Sequence, residues 1–181
     1  GLAARGVAAE EVYDTFGHGQ PSAEAIRAFV AYAFHSWSRP SPRYVVLLGD
    51  ASYDPRNFMG ISPAAPLPAL FARTSYLWTS ADPLLAAVNG DDTLPDLAIG
   101  RLPAGTAEEA GRLVEKLLTW EASGQGLGGR ATLVADNPDI AGDFETDVRD
   151  IAEGYLPGRS KLLLLRELGP QTRPAILDAL D

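Results

Sequence analysis

Hydrophobic positions along the first part of the chain follow a helical pattern and then a strand pattern. Apolar residues recur at helical spacing after Pro21, and Ser22 is a suitable N-cap for the helix that they predict. This stripe consists of Ile26, Phe29, Val30, Ala33, Phe34 and Trp37. A continuous apolar run, residues 44–48, then ends at Gly49 and Asp50. Such a run is typical of a central parallel strand that is covered on both faces.

Residues 51–81 have no recognisable period. Four prolines exclude a long helix and an inner strand here, because proline lacks a backbone N–H and fixes φ. They are Pro55, Pro63, Pro66 and Pro68. Loops of this length are uncommon in compact domains and are often functional. We therefore predict a long loop with a potential functional role.

A second strand and helix are predicted after this loop. Residues 96–99 form a short apolar strand that ends at Gly100 and Arg101. Thr106 and Glu109 have the spacing of a capping box, which satisfies free amides at the start of a helix. The stripe of this helix consists of Ala110, Leu113, Val114, Leu117 and Leu118.

The alternation continues beyond the glycine-rich residues 124–130. Residues 131–136 and 161–165 are predicted strands, Asp143 is predicted to cap the helix between them, and a last helix begins near Thr172. The glycine-rich segment follows a helix and precedes a strand. Because a dinucleotide fingerprint requires the opposite order, we do not predict a nucleotide site there.

This order of elements predicts an α/β fold of mostly parallel sheets flanked by helices. We predict an N-terminal α/β subdomain over residues 1–123 and a flexible linker over residues 124–130. Residues 131–181 are predicted to begin a second α/β subdomain.

Aspartates follow two of the predicted strands. Asp50 and Asp136 lie where ligands gather in open α/β sheets, at the carboxyl ends of strands. Each could bind a cation or a substrate, and each could instead accept backbone N–H groups of the following loop. The sequence leaves both alternatives open.

Residues 89–96 resemble a calcium loop because hard cations prefer carboxylate and carbonyl oxygens. Asp50, Asp91, Asp92 and Asp96 are the candidate ligands for a Ca²⁺ site. The EF-hand pattern fails, since no glutamate closes the loop, and a tight turn explains the same residues. No cofactor is required by the sequence, and calcium is the one candidate.

Three further polar residues, Arg101, His18 and His35, could have functional or structural roles. Arg101 could hold a carboxylate ligand with its planar guanidinium, or form a buried ion pair with a nearby aspartate. His18 lies between two glycines and is predicted in an exposed turn, and His35 lies on the first predicted helix. Because neither histidine has a nucleophile in a suitable setting, we interpret both as structural.

Composition narrows the classes of function. The net charge is −9, so non-specific binding to nucleic acid is not expected. The absence of cysteine excludes disulfides, thiolate metal sites and a cysteine nucleophile within these residues. No apolar run approaches the length of a membrane span. The first residues resemble the middle of a protein, so we expect a fragment.

Three long motifs are similar to those of the gingipain-type cysteine peptidases, family C25. They occur in family order at residues 44–57 (YVVLLGDASYDPRN), 89–104 (NGDDTLPDLAIGRLPA) and 135–145 (ADNPDIAGDFE). Val12, Tyr13 and Asp14 before the first predicted helix also fit the family. The resemblance therefore covers essentially the whole chain.

The resemblance implies the front part of a caspase-like catalytic region with two adjacent subdomains. In this family a cysteine and a histidine hydrolyse the peptide bond, and the match places both beyond Asp181. It also implies peptide or protein substrates, the remaining catalytic subdomain as an intramolecular partner, and an extracellular or cell-surface location in a prokaryote. Whether this chain alone is an enzyme stays open, whereas the parent protein is expected to be one.

The resemblance carries one substrate-site residue over to this chain. Arginine-specific members have an acidic residue before the helix that follows this strand, and the match places Asp143 there. A carboxylate is a suitable partner for the basic side chain of a substrate. The same residue could be an N-cap only.

Two alternatives to the peptidase belong to other classes. The first is a non-catalytic α/β binding or scaffold module that calcium could stabilise. The second is a phospho-acceptor receiver domain, suggested by Asp50 at a strand end. The receiver domain is the weakest hypothesis, because Lys116 and Lys161 are the only lysines and neither lies at a suitable strand end.

Overall fold

Helices and short strands form the secondary structure of the described residues, and the chain divides into two units. The computed structural model describes residues 2–60, 67–124, 131–164 and 169–179. The units comprise Gly1–Thr119 and Trp120–Asp181. In chain order the helices and strands are α1 (Ala9–Phe16), α2 (Ala23–Ser36), β1 (Tyr44–Leu48), β2 (Phe71–Arg73), β3 (Trp78–Ser80), β4 (Ala98–Leu102), α3 (Ala107–Ala122), β5 (Ala131–Ala135), α4 (Phe144–Gly154), β6 (Ser160–Leu164) and α5 (Thr172–Leu177).

The first helix, α1, was not among the predicted elements. It is only eight residues long and its N-cap, Ala8, makes no side-chain capping bond, so the sequence gives no strong start signal. Gly17 ends it in a tight turn. A Cβ at this position would lie 2.6 Å from the carbonyl oxygen of Gln20, so only glycine fits. The predicted exposed turn at His18 is confirmed, with a positive φ of 52°.

The second helix, α2, confirms the first predicted helix. The Ser22 hydroxyl caps it by accepting a hydrogen bond from the Ala25 amide at 3.1 Å. Its buried face packs on α1 and on the 3₁₀ turn Asp82–Leu85. The core of this unit includes Tyr13, Ala25, Ile26, Val30, Leu47, Leu85, Ala86 and Leu97.

Strands β1 and β4 form a parallel pair, with Val45 opposite Ile99. Within the described residues only one face of β1 is covered. Leu47 is buried in the core, whereas Tyr44, Val46 and Leu48 on the other face are at least half exposed. The prediction of a strand covered on both faces is therefore wrong for the structure described. An apolar run indicates that a strand can be covered on both faces, but it does not indicate which element covers each face.

The predicted loop at residues 51–81 contains a small hairpin that the sequence analysis missed. Strands β2 and β3 pair antiparallel, with Arg73 opposite Trp78. The Thr74 hydroxyl fixes the connecting turn by accepting the amides of Tyr76 and Leu77. Strands of three residues are too short to show a period of two.

Helix α3 follows β4 and begins as predicted. Thr106 accepts the Glu109 amide at 3.2 Å, and the Glu109 carboxylate accepts the Gly105 amide at 2.8 Å. This is the reciprocal bonding of a capping box, displaced by one residue. No residue of α3 is buried among those described.

The second unit contains one parallel strand pair. Leu133 of β5 lies opposite Leu162 of β6, and α4 packs against both strands. Among the residues described in this unit, Ala135, Ala152 and Leu163 are the buried apolar ones. The strand predicted at 161–165 begins one residue earlier, at Ser160. Asp143 caps α4 and α5 begins at Thr172, as predicted.

The chain is a mixed α/β protein with helices and small parallel sheets. The division of the chain into two units falls between Thr119 and Trp120, near the end of α3. Most of the predicted linker, residues 125–130, lies outside the described residues, so the linker stays a prediction. No helix within the described ranges is both long and apolar enough to span a bilayer.

Tyr13 provides a test of the hydrophobic core of the first unit. Burial raises the pKa of Tyr13 from its ordinary value near 10 to about 12, Glu10 adds to the increase, and Arg101 opposes it. Between these values the phenol ionises only in the unfolded chain. The free energy of unfolding should therefore decrease as the pH rises through this window. Urea unfolding of the wild type and of Tyr13→Phe measures this slope.

The Tyr13→Phe variant should lose part of the slope between pH 10 and 12. Tyr76→Phe is the control, because Tyr76 is 78% exposed. The assignment fails if both variants keep the same pH dependence as the wild type.

Candidate functional site

Arg101 connects four segments at the carboxyl end of the β1–β4 pair. Its Nε and Nη2 atoms donate to the two carboxylate oxygens of Asp82 at 2.7 and 2.8 Å. Its Nη1 atom donates to the carbonyl oxygens of Gly49 and Leu67 at 3.0 and 2.8 Å. Arg101 lies within β4, which continues one residue further, and not directly after a strand as predicted.

The Arg101–Asp82 pair is largely screened from water. The two side chains are only 11% and 22% exposed, and the planar guanidinium meets both carboxylate oxygens. The predicted ion pair of Arg101 with an aspartate is therefore confirmed. Asp82 was not among the aspartates singled out from the sequence. It lies nineteen residues earlier, beyond the reach of any local pattern.

Asp50 lies just after β1 and is exposed. Its Oδ1 atom accepts the Ala51 amide at 2.8 Å, and its own amide donates to the carbonyl oxygen of Ala104 at 3.0 Å. These bonds match the interpretation in which Asp50 fixes the start of a loop. The loop contains a second carboxylate that the sequence analysis missed, Asp54, which is buried and accepts the Met59 amide at 2.6 Å.

Two aspartates of the segment 89–96 also accept backbone amides. Asp96 Oδ2 accepts the amides of Val88 and Asn89, both at 2.8 Å. Asp92 Oδ1 accepts the Leu94 amide at 2.9 Å, and Asp91 is exposed. Such bonds are those of a tight turn before a strand.

No group of three or more histidines, aspartates and glutamates that could hold a metal ion occurs in the part of the chain that the structure describes. The His35 ring hydrogen-bonds the carbonyl oxygen of Val88 through Nε2 at 3.0 Å. This bond connects α2 to the start of the turn at residues 89–96. His35 therefore has a structural contact, consistent with its interpretation.

In the second unit, the segment from Asp136 to Asp143 connects the end of β5 to the start of α4. Asp136 Oδ1 accepts the Asn137 amide at 2.7 Å. Asp139 and Gly142 then exchange two backbone hydrogen bonds at 3.0 and 3.2 Å, which close a narrow turn. Ile140 at its tip is fully exposed. This turn delivers the chain to the N-terminus of α4.

Asp143 sits at that N-terminus with its carboxylate bound on both oxygens. Oδ1 accepts the Thr146 amide at 3.1 Å, and Oδ2 accepts the Thr146 hydroxyl at 2.8 Å. The residue itself is exposed, whereas Glu145 in the first turn is buried. An exposed carboxylate held in one orientation is chemically suited to receive a cationic side chain.

The sequence model of one family matches nearly the whole chain. It is that of peptidase family C25, and it covers residues 1–178. The chain belongs to peptidase family C25. This confirms the resemblance drawn from the three motifs. No curated protein and no solved structure gives a significant match to this C25 chain.

The ion pair of Arg101 provides a stability test. Arg101→Met leaves the Asp82 carboxylate and two carbonyl oxygens without their donors. We therefore expect the free energy of unfolding to fall by about 3 kcal/mol. Arg101→Lys keeps the charge but not the planar fork, and it should recover only part of this loss. Urea unfolding midpoints measure both effects.

Arg112→Met is the matched control for charge, because Arg112 pairs with Glu108 on the surface of α3. Those side chains are 65% and 81% exposed. The control should change stability by less than about 0.5 kcal/mol. Equal losses in Arg101→Met and Arg112→Met would contradict the structural role of the Arg101 network.

Calcium binding at Asp50, Asp91, Asp92 and Asp96 stays a prediction. A cation that binds only the folded chain raises Tm by mass action. A site in this segment should therefore give a higher Tm in millimolar CaCl₂ than in EDTA, and Asp92→Asn should abolish the difference. Identical melting curves in the two solutions would exclude the site.

Proposed function

We propose that this chain is the front part of the catalytic region of a secreted C25 cysteine endopeptidase. The family match over residues 1–178 carries the proposal. Residues 1–181 contain no cysteine, so the thiolate that attacks the peptide bond must come from outside them. We place both members of the Cys–His dyad beyond Asp181, where histidine would promote formation of the thiolate.

In this proposal the two units have different tasks. The first unit supports a caspase-like catalytic region, and the second begins the subdomain that carries the dyad and part of the substrate site. The partners are a peptide or protein substrate and the rest of the same polypeptide. The proposed location is extracellular or at the cell surface of a prokaryote, with calcium as an optional stabilising ion.

We further propose that Asp143 binds the basic side chain of the substrate residue before the scissile bond. Three features support this role. Asp143 is exposed, it follows the turn at the carboxyl end of β5, and its carboxylate is held at both oxygens. Ligand sites in α/β folds gather at such strand ends. Helix capping and substrate binding are compatible, since a carboxylate has about four acceptor positions.

Asp143→Asn in the complete protein tests this assignment. Asparagine caps helices about as well as aspartate, so stability should change little. The variant removes the charge that pairs with a substrate arginine. We expect kcat/KM for substrates with arginine before the scissile bond to fall by well over tenfold, since such contacts are worth about 2–5 kcal/mol when buried. Fluorogenic peptides with arginine or leucine at that position give the comparison.

Asp150→Asn is the matched control, because Asp150 is an exposed acid on the same helix. It should leave both substrates nearly unaffected. An equal loss for both substrates in Asp143→Asn, or no loss at all, would reduce Asp143 to a helix cap.

The second candidate function is a non-catalytic α/β binding or scaffold module. Residues 1–181 contain no cysteine. If the rest of the protein also lacks a reactive thiol, the binding or scaffold module is a better explanation than the enzyme. Thiol alkylation of the complete protein separates the two functions. Peptide hydrolysis that iodoacetamide abolishes supports the peptidase, and absence of thiol-dependent hydrolysis supports the module.

A further inference from the structure

Two hydrogen bonds join Asp143 to a single residue, Thr146. The amide of Thr146 donates to Oδ1 at 3.1 Å and its hydroxyl donates to Oδ2 at 2.8 Å. A helix cap needs only the first bond, because capping satisfies a free backbone amide. The hydroxyl bond satisfies no helix amide. It therefore has a separate physical effect, which concerns the carboxylate and not the helix.

That effect is to fix the plane of the carboxylate. The terminal torsion of aspartate is broad, so a carboxylate held at one oxygen can rotate about its last bond. A second donor on the other oxygen removes this freedom. The second donor is itself well oriented, since a β-branched threonine has few χ1 rotamers in a helix.

The backbone before Asp143 is also constrained. The Asp139–Gly142 turn is closed by two backbone bonds, and Asp139 Oδ1 accepts the Ala141 amide at 2.7 Å. Gly142 has a φ of 157°, at the limit of the region that favours glycine. Backbone and side chain thus both hold the Asp143 carboxylate in place.

We propose that Thr146 is a positioning residue for basic substrates, and that its hydroxyl fixes the orientation in which the Asp143 carboxylate receives a guanidinium. The inference rests on the proposed function of Asp143. A guanidinium binds a carboxylate through two parallel bonds, so its affinity depends on the plane of the carboxylate. A ligand that must first order its partner loses part of the binding free energy.

Two substitutions of Thr146 in the complete protein separate capping from positioning. Thr146→Val removes only the hydroxyl and keeps the capping amide, and valine and threonine have similar helix propensities. Thr146→Ser restores a hydroxyl. We expect Thr146→Val to raise KM for arginine substrates roughly fivefold, within the range that a single intramolecular hydrogen bond contributes, with little change in kcat.

Leucine substrates should keep their kcat/KM in Thr146→Val, and Thr146→Ser should return KM for arginine substrates close to the wild-type value. Circular dichroism and urea unfolding of each variant verify that α4 remains folded. A purely structural role would lower activity on both substrates together.

The Asp143→Asn variant, measured in parallel, distinguishes the two ways of failing. If Asp143→Asn lowers arginine selectivity and Thr146→Val does not, Asp143 keeps its role and the positioning role of Thr146 is wrong. If Asp143→Asn leaves selectivity unchanged, both the substrate-binding role of Asp143 and the positioning role of Thr146 are wrong. Failure of Thr146→Ser to restore KM would also overturn the positioning role.

Discussion

The ion pair between Arg101 and Asp82 is the interaction on which the first unit depends. One guanidinium joins β4, the end of β1 at Gly49, the segment at Leu67 and the 3₁₀ turn that begins at Asp82. Apolar contacts are non-directional and cannot specify how these segments meet. The planar guanidinium of Arg101 does specify how the segments are arranged, because each of its donors has a fixed direction. The charge also affects the core nearby, where it opposes the increase that burial causes in the pKa of Tyr13.

Sequence patterns predicted the elements whose own residues determine their structure. Helix α2 has a cap and a long stripe, and β1 has a continuous apolar run, so both were found at nearly their observed bounds. Helix α1 and the β2–β3 hairpin were missed because eight residues without a cap and strands of three residues leave no periodic pattern. The partner of Arg101 was not predictable for a different reason. Its choice among several aspartates is made by tertiary contacts, which no local spacing encodes.

In the candidate site, too, the positions of several residues were predictable from the sequence, whereas their tertiary contacts were not. Aspartates after strands were located correctly from the sequence, but their roles depend on which donors the folded loop brings to them. Asp96 shows this, since its Oδ2 atom accepts two amides of its own turn. A cation site needs carboxylates from separate positions to converge, and composition alone does not report convergence. Asp143 was predicted as a cap because capping is local. The hydroxyl contact of Thr146 is equally local, but a Thr three residues after an Asp is too common to indicate it.

The proposed double role of Asp143 places helix capping and substrate binding in the same electrostatic environment. The N-terminus of α4 carries partial positive charge, which attracts the Asp143 carboxylate and holds it against the helix before any substrate arrives. The same donors draw negative charge toward the helix and so weaken the attraction for an incoming guanidinium. Binding is favoured when the free energy gained from a carboxylate of fixed orientation exceeds this loss of electrostatic attraction. A carboxylate that is already fixed in orientation needs no further ordering when the substrate binds, whereas a mobile surface aspartate loses binding free energy because it must first be ordered.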